Sequence, residues 1–226
     1  MGVIIAIVKQ PLVLGHRGAR ATRQIPENTL ASFELCLKHG CDGFEFDVRR
    51  SADGRAVVCH DPVVRGMEIA KTRAAELGLP SLEEVLRVFA GRAFLDIELK
   101  VAGVEPETVA LLQEHAPPSG YVVSSFLPER LVAVREMDAK VPLGFIYDKI
   151  ENERAKATSA PARVEWMIPR VDLVNQELVQ RVHAAGQKIA VWTVNRADEM
   201  KQMAEWGLDA IISDETERLV GELGAP

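Results

Sequence analysis

Two histidines, one arginine and four charged side chains at alternating spacing are the residues of this chain that could do chemistry together. His16-Arg17-Gly18 follows the apolar run Leu12-Val13-Leu14-Gly15, and His60-Asp61-Pro62 follows Ala56-Val57-Val58-Cys59. Glu45 and Asp47 alternate within Gly43-Phe44-Glu45-Phe46-Asp47-Val48, and Glu98 and Lys100 alternate at the end of Ala93-Phe94-Leu95-Asp96-Ile97-Glu98-Leu99-Lys100. Residues two apart on a strand share a face, so each pair points one way. Carboxylates gathered at one point repel unless a cation lies between them. No His or Cys alternates with these acids, so a hard, oxygen-preferring divalent metal, Mg²⁺ or Ca²⁺, is the natural occupant. A metal-free network built on Lys100 and Arg17 is the alternative. The fork of Arg17 matches a phosphate. A metal that neutralises a phosphoryl group, an arginine that clamps it and two histidines that exchange protons with nucleophile and leaving alkoxide together describe phosphodiester cleavage.

The remaining histidines read differently. His39, His115 and His183 fall in or just after the last turns of predicted helices, where a partly positive imidazole suits the dipole. Phe126, closing Tyr121 to Phe126, and Trp192, inside Ile189 to Asn195, are either core or pocket wall. Glu27 and Asn28 open a helix, and capping accounts for Asn28.

Groups at strand ends need strands and helices to hold them there, and the chain supplies both in alternation. An amphipathic helix is expected over Asn28 to Lys38, with Leu30, Phe33 and Leu37 on one stripe. Ser81 with Glu84 forms a capping box that opens a helix from Leu82 to Phe89. Further helices are expected over Glu105–His115, Pro128–Met137, Gln176–Ala185, Asp198–Trp206 and Glu215–Leu223. Strand-like runs open at Leu12, Gly43, Ala93, Tyr121, Val141, Val164, Lys188 and Ala210, giving eight βα units if Ala56 to Cys59 is an excursion after the second strand. The expected fold is α/β, a single (β/α)₈ TIM barrel with a short cap or insertion after the second strand. One domain would occupy residues 1–226, with its core over about 12–223. The chain is slightly short of the roughly 250 residues usual for such a barrel. No composition break marks a second domain, and no G-x-G-x-x-G supports dinucleotide binding.

A hydrophobic share of 47% excludes disorder as a serious option, and a formal net charge of −6 argues against a nucleic-acid partner. Cys36, Cys41 and Cys59 are odd in number and lack C-x-x-C spacing, so they read as thiols in a reducing compartment. The apolar run within Met1 to Val8 is too short to span a bilayer and reads as an extra strand or plug. A cytoplasmic protein without stable membrane insertion is expected; oligomeric state is left open.

The motifs taken together carry a resemblance. HRG at His16 to Gly18, PENT at Pro26 to Thr29, EFDV at Glu45 to Val48, HDP at His60 to Pro62, ELK at Glu98 to Lys100 and VWTVN at Val191 to Asn195 resemble the glycerophosphodiester phosphodiesterases. The similarity runs from about Leu12 to the C-terminal helix. It implies a TIM-barrel enzyme that cleaves glycerophosphodiesters to sn-glycerol 3-phosphate and an alcohol. By its pattern Glu45, Asp47 and Glu98 bind the divalent metal, and His16 and His60 are the acid–base pair. Arg17 and Lys100 face the phosphate, Glu27 supports the metal side, and Phe126 and Trp192 line the substrate pocket. The resemblance also implies attack by the neighbouring glycerol hydroxyl, giving a cyclic phosphate that water opens. One departure stands out: after HDP the usual Thr and Asp residues are replaced by VVRGMEIAK in a shortened segment. That leaves the headgroup open and admits larger diesters, lysophospholipids included, as an alternative substrate. A barrel that only binds phosphorylated ligands is the rival from outside the enzymes, and the retention of both histidines and all three acids speaks against it.

Overall fold

The computed structural model describes residues 10–149 and 162–224. The apolar N-terminal run and most of the charged stretch 148–163 lie outside the described residues.

Eight parallel strands close a barrel. They are β1 (Leu12–His16), β2 (Gly43–Arg50), β6 (Phe94–Leu99), β7 (Tyr121–Ser125), β8 (Leu143–Tyr147), β9 (Trp166–Pro169), β10 (Lys188–Val191) and β11 (Ala210–Ser213). Each pairs with the next, and β11 pairs with β1 to complete the ring. The remaining strands, β3 (Ala56–Val58), β4 (Val63–Val64) and β5 (Met67–Glu68), belong to the excursion after β2. All eight expected openings are found within two residues of a barrel strand's start, so the fold is the expected (β/α)₈ TIM barrel.

The period of two along each strand sorts the side chains into two cores. Phe44, Phe46 and Val48 of β2 point outward with Leu95, Ile97 and Val123 toward the helices. Leu14, Phe94, Val122, Trp166, Ala190 and Ala210 fill the barrel interior. Strands buried on both faces read as near-continuous apolar runs, which is why Glu45, Asp47, Asp96 and Glu98 stand out within theirs. Parallel strands need a return path, and helices provide it: α1 (Leu30–Lys38) after β1, then α3 (Leu82–Phe89) after the excursion and its short helix α2 (Ala74–Leu77). The capping box at α3 is present: Ser81 Oγ accepts from the Glu84 N–H at 3.1 Å, and the Glu84 carboxylate accepts from the Ser81 N–H at 2.8 Å.

Helix α1 starts two residues later than expected. Thr29, not Asn28, is its N-cap, accepting from the Ser32 N–H at 3.2 Å. Asn28 lies before the helix at φ +57°, a left-handed conformation that Asn tolerates better than most residues. The excursion has a small core of its own, Val57, Ile69 and Leu77 packed with Leu79 and Val64. It stands beside the C-terminal ends of the barrel strands, where such barrels collect their chemistry.

Candidate active site

The register of the barrel gathers the acids. Glu45 on β2 lies opposite His16 on β1 and Asp96 on β6, and Asp47 lies opposite Glu98. Ligand oxygens of Glu45, Asp47 and Glu98 come within 4.8 Å of one another, all three residues being buried. Burial pushes the Glu45 carboxyl well up, and the charges of Asp47 and Glu98 push it further. Burial likewise lifts Glu98 to about 7, although Lys100 Nζ stands 2.8 Å from its carboxylate. Asp47 goes the other way. Its burial is outweighed by Lys100 at 3.3 Å, by Arg17 Nε at 3.4 Å and by the Asn28 amide, which donates to Oδ2 at 2.8 Å. Asp96 is a fourth buried carboxyl, lifted by burial to about 7 and bonded by the Ser124 hydroxyl.

Lys100 and Arg17 do not complete this cluster. Among the described residues Glu45 Oε1 and Asp47 Oδ1 are buried without a hydrogen-bond partner; Lys100 is near enough to Asp47 Oδ1 for an ion pair, but not in hydrogen-bond geometry. Buried polar atoms are normally bonded. An all-oxygen donor set with two such atoms and more acids than cations is what a hard divalent ion requires, so the residues fit a metal here.

Both expected histidines line the same cavity as Glu45 and Glu98, together with Arg17, Lys100, Phe126 and Trp192. His16 Nδ1 is 2.7 Å from Asp214 Oδ1, and its Nε2 is 3.8 Å from Glu45 Oε2. Burial lowers the His16 pKa, and the Asp214 carboxylate only partly offsets it. His60 Nδ1 is 2.8 Å from Asp61 Oδ1. Its backbone carbonyl accepts from Arg49 Nε at 2.7 Å, which fixes the entry to the excursion. A carboxylate can only accept, so each imidazole carries a proton on Nδ1, and Nε2 is left for the cavity, bare as a base or protonated as an acid.

Arg17 is no surface arginine. It sits at φ +52° immediately before Gly18 at φ +82°, and this paired left-handed turn sends its backbone N–H to Glu45 Oε2 at 3.0 Å. A non-glycine residue held there is strained, and such strain gathers at functional sites. A Cβ on Gly18 would lie 2.4 Å from Ser32 Oγ, so the turn requires glycine. Glu27 holds the Arg17 guanidinium at 2.8 Å and Arg20 at 2.7 Å. Phe126 and Trp192 meet edge to face at 5.4 Å, with Lys100 Nζ 5.7 Å from the Phe126 ring. The indole N–H of Trp192 donates to the Ile168 carbonyl at 3.1 Å, which fixes the ring as a wall.

Sequence reasoning missed Asp214, Asn195 and the role of Asn28. Asp214 accepts from Asn195 Nδ2 at 2.8 Å and from Arg20 Nη1 at 3.0 Å; it is half-buried, and these donors with His16 hold its carboxyl far below the usual range. It directly follows β11, so the strand-end rule that found His16 and His60 would also have found it. Nothing local pointed from Asn28 to Asp47.

The profile of the glycerophosphoryl diester phosphodiesterase family matches residues 16–93 and 90–218. The chain belongs to the glycerophosphoryl diester phosphodiesterase family. A glycerophosphodiester phosphodiesterase of Caldanaerobacter subterraneus is 29% identical over 243 aligned positions, covering 92% of this chain and 96% of that protein. A phosphodiesterase of Oleispira antarctica, solved with its product sn-glycerol-3-phosphate, superposes with a TM-score of 0.81 at 27% identity, covering 96% of this chain and 98% of that one. A Thermotoga maritima glycerophosphodiester phosphodiesterase shares the fold at a TM-score of 0.82 and 24% identity, over 94% and 98% of the two chains. In this phosphodiesterase the family match begins at His16 itself and takes in His60 and all three clustered acids.

Proposed function

We propose that the enzyme hydrolyses glycerophosphodiesters to sn-glycerol 3-phosphate and an alcohol, with Glu45, Asp47 and Glu98 holding Mg²⁺ or Ca²⁺. The support is a cavity that Glu45 and Glu98, converging with Asp47, share with two histidines that each leave Nε2 for the substrate, while among the described residues Glu45 and Asp47 each keep a buried oxygen without a hydrogen bond. When bound there, a divalent ion supplies charge neutralisation at a phosphoryl oxygen. Arg17 and Lys100 add donors beside it. Lys100 is held charged by Glu98 and Asp47 against the effect of its burial.

The two histidines divide the proton traffic by their surroundings. His16, the less exposed of the two and neutral, accepts the attacking hydroxyl's proton at Nε2, and Asp214 stabilises the imidazolium that results. His60, more open to solvent and held by Asp61 at 2.8 Å, gives a proton from Nε2 to the leaving alkoxide. Phe126 and Trp192 wall the other side against the glyceryl carbons. Glu27 positions Arg17.

The test is release of glycerol 3-phosphate from glycerophosphocholine, after EDTA and again after Mg²⁺ or Ca²⁺ is restored. Release abolished by EDTA and regained with one of these ions is the expected result. Release untouched by complete chelation would remove the metal from the proposal. No release under any condition, with lysophospholipids also inert, would leave a binding protein.

Asp214→Asn carries a separate prediction. An amide can donate toward Nδ1 and favour the wrong tautomer, so kcat should fall about 10²- to 10⁴-fold with KM little changed. Wild-type kcat in that variant would mean that Asp214 only supports structure.

Among the described residues no helix is long and apolar enough to cross a membrane. The three cysteines are free thiols, which supports a cytoplasmic setting.

A further inference from the structure

A second cavity adjoins the first. It lies between the turn at 26–29 and the excursion at 58–79, and its volume is about 470 Å³ against about 140 Å³ for the cavity at the barrel mouth. Among the described residues His60 is the one that lines both. The first cavity it shares with Glu45, Glu98, Arg17 and Lys100. The walls of the second are mainly carbon: Pro26, Val58, Val63, Val64 and Leu79.

The charged groups of this second cavity are already engaged. Glu27 is paired with Arg17 and Arg20, and Asp61 is bonded to His60. The Arg65 guanidinium donates to the Leu77 carbonyl. Recognition in a pocket of this kind comes from apolar walls, with a few fixed polar groups setting orientation. Val63 is 46% exposed at the lip, one of the few large apolar side chains the described surface leaves open.

A general acid must lie within hydrogen-bond reach of the oxygen it protonates. If the phosphoryl group sits at the acids, the leaving oxygen lies at His60 and the rest of the leaving alcohol lies beyond it. We infer that the cavity between the 26–29 turn and the excursion is the leaving-alcohol subsite, and that it selects glycerophosphodiesters whose alcohol carries an alkyl chain. This rests on the acid–base reading above. In the step, the glycerol hydroxyl next to the phosphoester forms a new P–O bond and loses its proton to His16 Nε2. The P–O bond to the alkyl alcohol breaks, and the departing oxygen takes the proton from His60 Nε2. A cyclic glycerol phosphate and a neutral alcohol result, with no change in oxidation state.

The test is a series of sn-glycero-3-phospho-n-alkanols from ethyl to octyl, kept at monomeric concentrations, with kcat/KM measured in the metal-loaded enzyme. Burial of two or three methylenes should raise kcat/KM of the octyl over the ethyl diester by roughly 30-fold. Val63→Asp, which sets a charge at the lip, should cut that ratio about tenfold. Val88→Asp, equally a change of an exposed valine but on the outer face of α3, should leave the ratio alone. Release that ignores chain length, or a ratio indifferent to Val63→Asp, would overturn the subsite while leaving the phosphodiesterase standing. Release from no member of the series would overturn both.

Discussion

His16→Ala should lower kcat about 10²- to 10⁴-fold while the protein stays folded. The variant removes the Nε2 that faces Glu45 and the cavity, and with it the proton acceptor for the attacking hydroxyl. The fold should tolerate the loss because the group left behind keeps its other partners. Asp214 still accepts from the Asn195 amide and from the Arg20 guanidinium. His60→Ala should show a loss of the same order, as the ring removed is half-buried at the mouth and bonded to an exposed aspartate. The measurement is glycerol 3-phosphate release at saturating substrate, paired with a thermal melt. Wild-type turnover in both variants would end the acid–base assignment. A large fall in melting temperature for either would show that the imidazole is structural as well.

Phe44→Ala should cost about 3–5 kcal/mol of stability, a fall in Tm of roughly 6–20 °C for a chain of this size. Phe44 is fully buried and stacks on Phe33 of α1 at 4.2 Å with an interplanar angle of 4°. Phe89 of α3 meets both rings edge-on, at 5.2 Å from Phe44 and 5.8 Å from Phe33. Phe46 adds a tilted contact at 5.9 Å. This cluster clamps β2 beneath two helices. The inward side of the same strand carries Glu45 and Asp47, whose opposing negative charges work against burial. The apolar side therefore sustains the acidic side. Loss of the ring leaves a cavity that rigid neighbours on two helices cannot close. Urea unfolding followed by circular dichroism measures it, and a loss below about 1 kcal/mol would mean that the cluster relaxes and β2 is held elsewhere.

Everything governed by short period is legible along the chain. Alternation of apolar and acidic residues in Gly43 to Val48 and Ala93 to Lys100 assigned Glu45, Asp47 and Glu98 to one face, because strand geometry repeats every two residues. Strand-end position singled out His16 and His60, and the count of βα units yielded the closed barrel. Helix ends were legible wherever a side chain capped them locally, as Ser81 does for α3.

Which distant groups meet depends on how the ring of strands closes. Asp214 bonds His16 across 198 residues, since β11 closes on β1 and carries its following residue to the ring nitrogen. Asn28 reaches Asp47 across 19 residues because the chain turns left-handed before α1 instead of entering it. Asp96 could be seen to alternate with Glu98, yet its burial beside Ser124 depends on the neighbour that β7 supplies. Glu27 reads as part of the site from its motif, and the folded chain sets it on Arg17, whose guanidinium also reaches Asp47. Such pairings depend on strand order and barrel closure. These are properties of the whole ring of strands, and no local period records them.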